Sequence, residues 1–167
     1  HPLWAQELYN PHEHVPETEE YGITSFVYRA RAPFDPKKIH EFLNQEWPGV
    51  VRAKGFFWLA SRPDYVGEIS QAGAFVRHKG IGRWWAAIPK NQWPAGEEFE
   101  NVIKEYWTKD YGDRRQEIVF IGLKDQMSQQ AIKKQLDSCL VESYLTAPEL
   151  FEKLEDPFPQ WFSSQAA

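Results

Sequence analysis

Val50-Val51-Arg52-Ala53-Lys54-Gly55-Phe56-Phe57-Trp58-Leu59-Ala60 is the stretch whose reading decides the fold. β-Branched and aromatic residues crowd it, which is the signature of a strand. Side chains alternate across a strand. One face then carries Val51, Ala53, Gly55, Phe57 and Leu59, all apolar. The other carries Val50, Arg52, Lys54, Phe56, Trp58 and Ala60, charged at its start and aromatic at its end. Such a strand belongs in the middle of a sheet, with one side fully covered and the second only partly. What meets the second face is the main functional question.

Working outward, residues 22–32 read as a strand through Ile23, Phe26, Val27 and Tyr28. Asp35 caps a helix with Pro36 at its first position. After the central strand, Arg62-Pro63-Asp64 turns the chain and residues 68–78 read as a strand. Gly80-Ile81-Gly82 reads as a hairpin turn, and residues 83–88 as a short strand holding Trp84 and Trp85. Phe99, Val102, Ile103, Tyr106 and Trp107 follow the i, i+3, i+4, i+7, i+8 pattern of a helix. Residues 114–123 form a second central strand. Ser128 caps a further helix, with Met127 and Ile132 placed as a hydrophobic staple. The order β-α-β-β-β-α-β-α predicts an α+β fold. Its sheet is mixed or antiparallel with helices mainly on one face, ferredoxin-like with an added hairpin strand. Three helical stripes (Ile39/Phe42/Leu43, Phe99/Ile103/Trp107 and Ile132/Leu136/Leu140) are enough to cover one face.

The 167 residues suit one domain, read as a linker or arm over 1–20 and a domain over 21–167. The aromatic content of 16%, with eight Trp, supplies much to bury. A formal net charge of −5 argues against a large nucleic-acid footprint. Cys139 is the single cysteine, so no internal disulfide forms, which fits a reducing compartment such as the cytoplasm. No apolar run approaches the roughly 18 residues needed to span a membrane. The start His1-Pro2-Leu3-Trp4 suggests a piece of a longer protein.

Several stretches resemble one family. They are Pro16-Glu17-Thr18-Glu19-Glu20-Tyr21-Gly22-Ile23, Ser25-Phe26-Val27-Tyr28-Arg29-Ala30-Arg31, and Trp47-Pro48-Gly49 running on through the central strand. Pro33-Phe34, Ser70-Gln71-Ala72-Gly73, Gly82-Arg83-Trp84-Trp85-Ala86-Ala87, Gly112-Asp113-Arg114-Arg115-Gln116-Glu117-Ile118-Val119-Phe120-Ile121-Gly122 and Asp156-Pro157-Phe158-Pro159 complete the set. In this order they resemble the C-terminal domain of the CobW-like GTPases, a family of metallochaperones. The resemblance implies an accessory domain whose GTP and Mg²⁺ chemistry lies in a separate N-terminal domain. That domain carries a G-x-x-x-x-G-K-[ST] phosphate loop and a Cys-x-Cys-Cys metal motif, and this chain has neither. The implied partners are that GTPase domain and a metal-receiving client protein.

Candidate chemistry within the chain is sparse, and no catalytic constellation is readable. His12 and His14 flank Glu13, and in an extended segment both imidazoles point one way, so they could hold Zn²⁺ weakly. An exposed polar arm that binds nothing is the favoured reading of the same residues. Isolated His40 and His78 read as surface or hydrogen-bonded residues. Gly112-Asp113-Arg114-Arg115 reads either as an anion site or as a solvated strand edge. Arg52, Lys54, Phe56, Trp58, Trp84 and Trp85 form the expected interaction surface. The bland alternative places the arm or the tail, with Phe158, Trp161 and Phe162, over that face. A reading from another class makes Phe56 and Trp58 stack on single-stranded RNA, with Arg52 and Lys54 on phosphates. The negative net charge and the broken RNP1-type pattern weigh against it.

Overall fold

The computed structural model describes residues 22–162. Five strands form one sheet: β1 (Ile23–Ala30), β2 (Val50–Leu59), β3 (Arg62–Ala72), β4 (Phe75–Arg83) and β5 (Gln116–Leu123). Their spatial order is β1-β5-β2-β3-β4, and every neighbouring pair is antiparallel. The helices are α1 (Pro36–Leu43), α2 (Glu97–Tyr106), α3 (Gln129–Ser138) and the single turn α4 (Pro148–Phe151). The α+β class, the antiparallel sheet and the added hairpin strand match the sequence reading. The unit β1–α1–β2 is a split β-α-β, its gap filled by β5 rather than by the third strand of a ferredoxin-like order.

Local chemistry explains the helix starts. Asp35 accepts from the backbone N–H groups of Lys37 and Lys38, and Ser128 from that of Ala131. Glu97, Glu98 and Glu100 sit in the first turn of α2, where the helix dipole favours negative charge.

Two cores flank the sheet. On the first face α1 and α3 bury Ile39, Phe42, Leu43, Ile132 and Leu136 against Ala53, Phe57, Ile69, Ile118 and Phe120. On the second face α2 packs Ile103 and Tyr106 with Phe56, Trp58, Trp84, Trp85 and Tyr144. The three helical stripes are therefore divided between the faces, two and one. Trp107 lies past the end of α2 and is 38% exposed, its ring against Trp93.

Three local readings are corrected. β3 runs on from Arg62, and the hairpin turns at Gly73, whose φ of 61° suits a left-handed position. Gly80 and Gly82 lie inside β4, paired with Gly67 and Val66. Gly80 is small for a reason: a Cβ there would meet Trp161 at 2.6 Å. Trp84 caps a 3₁₀ turn, Trp85–Ala87, so residues 83–88 are not a strand. Finally, Val50 pairs with Gly122 and Arg52 with Ile121, leaving Val51 as an extra, bulged residue. Val50 packs on the first core, and Val51 is 48% exposed.

The C-terminal tail closes the first face, not the second. Phe158 is buried in the first core, and its ring meets Phe57 and Trp161. Arg62 grips the tail with Nε and Nη2 on the Asp156 carboxylate and further bonds to the carbonyls of Phe158 and Pro159. The same guanidinium lies 4.6 Å from the Trp161 ring centroid.

Candidate functional site

The strand registers place the second face residue by residue. One row across the sheet is Ser25, Ile121, Arg52, Ala72 and Phe75. The next is Val27, Val119, Lys54, Ser70 and Arg77, and the third is Arg29, Glu117, Phe56, Glu68 and Lys79. Ile23 and Leu123 pair at the rim before the first row. In the third row Phe56 and Glu117 are buried, whereas no residue of the first two rows is buried: Ala72 and Phe75 are exposed and Val27, Val119 and Ile121 half-buried. Phe75 is 77% exposed, and Ile23 and Leu123 are over a third exposed. Arg52 and Arg77 are exposed and Lys54 half-buried. Across the three rows five cations stand against two anions, on a chain whose net charge is −5.

Buried polar groups hold the boundary between the open and covered halves. Glu117 accepts from Arg29 at 3.0 Å and from Arg115 at 3.4 Å. The Arg115 guanidinium lies 4.2 Å from the Tyr106 ring centroid, tying β5 to α2. Burial, then Glu105 and Glu117, push the Tyr106 phenol up to about 12, so the ring stays neutral under that cation. Arg31 donates to the carbonyl of Tyr106 at the end of α2. Asp113 is fully buried and accepts from the backbone N–H groups of Trp85 and Ala86, which fixes the 3₁₀ turn. The Gln116 side-chain amide accepts from the Trp58 N–H and donates to the carbonyls of Trp58 and Ala32. The Gly112–Glu117 run is thus an internal brace. Arg114 bonds the Pro63 carbonyl and the Asp64 carboxylate, so the anion-site reading is not supported there.

The structure divides the expected interaction surface. Arg52 and Lys54 lie on the open rows. Trp58 and Trp84 are 0% exposed, and Phe56 and Trp85 are also buried. Their cover is α2, the 3₁₀ turn, Tyr111 and Tyr144, with both tyrosine rings edge-on to Trp58. These four aromatics are core, which also removes the base-stacking platform from the RNA reading. The signals missed in the sequence are Val27, Val119, Ile121 and Arg77, whose alternation places them beside Arg52 and Lys54 once the strand order is known. His12 and His14 lie outside the described residues.

Among the described residues no acid–base or nucleophilic arrangement accompanies this face. Among the described residues no group of three or more His, Cys, Asp or Glu could hold a metal ion. His40 and His78 both pack edge-on against Phe158, and burial followed by His40 holds His78 below its ordinary value. Burial pushes the Cys139 thiol up to about 11, so it is an inert core group. Among the described residues no helix is long and apolar enough to cross a membrane. What this half of the sheet presents is a basic and apolar face.

Comparison with known proteins places this architecture. The chain is 40% identical over 144 residues to a zinc-regulated GTPase metalloprotein activator of Dictyostelium discoideum, covering 84% of this chain and 30% of that protein. It is 28% identical over 144 residues to a zinc chaperone of Mycobacterium tuberculosis, covering 85% of this chain and 35% of that protein. The chain thus spans about a third of the length of these relatives. The crystal structure of Zn(II)-bound YjiA GTPase from E. coli aligns with a TM-score of 0.47 at 14% identity, over 75% of this chain and 34% of that one. Residues 23–140 match the model of the cobalamin synthesis protein CobW C-terminal domain, and the chain belongs to that family.

Proposed function

We propose that this chain is the non-catalytic accessory domain of a GTP-dependent metallochaperone of the cytoplasm. It packs on the GTPase domain of the same protein and presents a surface to a metal-receiving client. The observation that carries this reading is the family match over 23–140, in a sequence without a phosphate loop. The names of the relatives support it: one is a zinc-regulated GTPase metalloprotein activator, another a zinc chaperone. Residues 21–167 form the domain and residues 1–20 the arm that joins it to the rest. GTP and Mg²⁺ act only in the preceding domain. Any zinc taken by this chain alone is held weakly by His12 and His14, two imidazoles without thiolates.

Calorimetry of the purified chain with Mg²⁺–GTP tests the central point. No heat of binding is expected, and micromolar affinity would overturn the assignment. A parallel zinc titration should lose its weak signal when His12 and His14 are both changed to Ala. Unchanged zinc binding would remove the arm as the site.

A further inference from the structure

We propose that the open half of the second sheet face is the seat of the GTPase portion of the same protein, which meets it through an acidic and apolar patch. This deepens the accessory-domain reading and rests on it.

The domain closes nearly all of its sheet by itself. The first face is sealed by α1, α3 and the tail through Trp161. One end of the second face is sealed by α2 and the 3₁₀ turn. Two rows stay open, and they hold two kinds of residue in separate places. Val27, Val119 and Ile121, with Ile23 and Leu123 at the rim, make an apolar half over β1 and β5. Arg52, Lys54 and Arg77 make a cationic half over β2 and β4, with Phe75 at its corner. Five strands at roughly 4.8 Å spacing make the face about 20 Å wide, the scale of one protein contact.

Two observations choose the occupant. Ile23, the first residue of β1, is itself part of the rim, so the N-terminal end of β1 lies beside this face. The relatives are about three times as long as the region matched, so they hold further polypeptide of domain size. Charge supplies the chemistry of the contact. The two open rows carry Arg52, Lys54 and Arg77 and no carboxylate although the chain is acidic overall, which calls for carboxylates opposite Arg52 and Arg77.

The test is hydroxyl-radical footprinting of the full-length protein, read by mass spectrometry, with GTP turnover measured on the same sample. Leu150, on α4 rather than on the sheet, is 65% exposed, so it serves as the internal reference. Corrected for intrinsic reactivity, Phe75 and Leu123 should oxidise roughly fivefold slower than Leu150, because an interface core excludes water. The double variant R52E/R77E should restore their oxidation, with an unchanged circular dichroism spectrum. Oxidation of Phe75 and Leu123 at the Leu150 rate in the wild type would overturn the proposal. Protection that vanishes on dilution would assign the face to a second copy and overturn it as well. Turnover with an unprotected face defeats the docking proposal alone. Protection without turnover keeps the docking and defeats the GTPase reading.

Discussion

Phe57 and Trp58 are neighbours on β2, both essentially unexposed, yet they belong to different cores. Phe57 lies on the face covered by α1, α3 and the tail. Trp58 lies on the face that is sealed only at one end, while Arg52 and Lys54, on the same side of the same strand, remain outside the second core. The difference shows that alternation assigns a side chain to a face but not to a fate. Whether a position on a face is dry depends on which distant element reaches it, here α2 and the turn at Trp85.

The largest effect comes from truncating each neighbour in turn. Phe57→Ala and Trp58→Ala should each cost about 3–5 kcal/mol in denaturant unfolding. If Trp58→Ala costs under 1 kcal/mol, the second core is not a true core and the comparison breaks. A smaller effect is expected at the brace. Asp113→Ala leaves the buried N–H groups of Trp85 and Ala86 without their acceptor, at a cost of about 2–3 kcal/mol. The fluorescence of the tryptophans packed by the 3₁₀ turn should shift to the red in the same variant.

The comparison also shows what could be read in advance. The caps at Asp35 and Ser128, the stripe of α2 and both central strands were legible because each depends on residues within a few positions. The hairpin was not. Gly80-Ile81-Gly82 carries a stronger turn signal than Ala72-Gly73-Ala74, but Gly80 is small to admit Trp161, about 80 residues away. The bulge at Val51 was invisible for a similar reason: it is defined by β5, which pairs from the far side of α2. The placement of Arg52 and Lys54 on the uncovered part of the second face was legible from alternation alone. The loss of Phe56, Trp58, Trp84 and Trp85 to the core required knowing that one helical stripe crosses to the second face.

The seal of the first face can be tested more gently. Arg62→Ala removes a bidentate ion pair with Asp156, two carbonyl contacts and the cation over Trp161. It should cost about 1–2 kcal/mol and speed proteolysis within 156–162 while the second core stays intact. The smallest effect is one of pH. His78 titrates below its ordinary value because of burial and then His40, so the unfolded chain binds the proton first. Stability should therefore decline as pH falls below about 6.5. His78→Gln should flatten that slope in chemical denaturation at pH 7 and pH 5, and an unchanged slope would point to other groups.

Gly67 and Gly80 face each other across β3 and β4, and neither brings a side chain to the first face. The Phe57 ring occupies the space over one, and Trp161 the space over the other. Beside the Phe57 ring the sheet thus leaves a trench over Gly80 that a separate length of chain fills, held at its rim by Arg62. In the language of fragment complementation, the tail is a detachable piece of core. A chain stopping at Glu155 should be an unfinished fold, and a peptide spanning residues 156–162, supplied separately, should complete it.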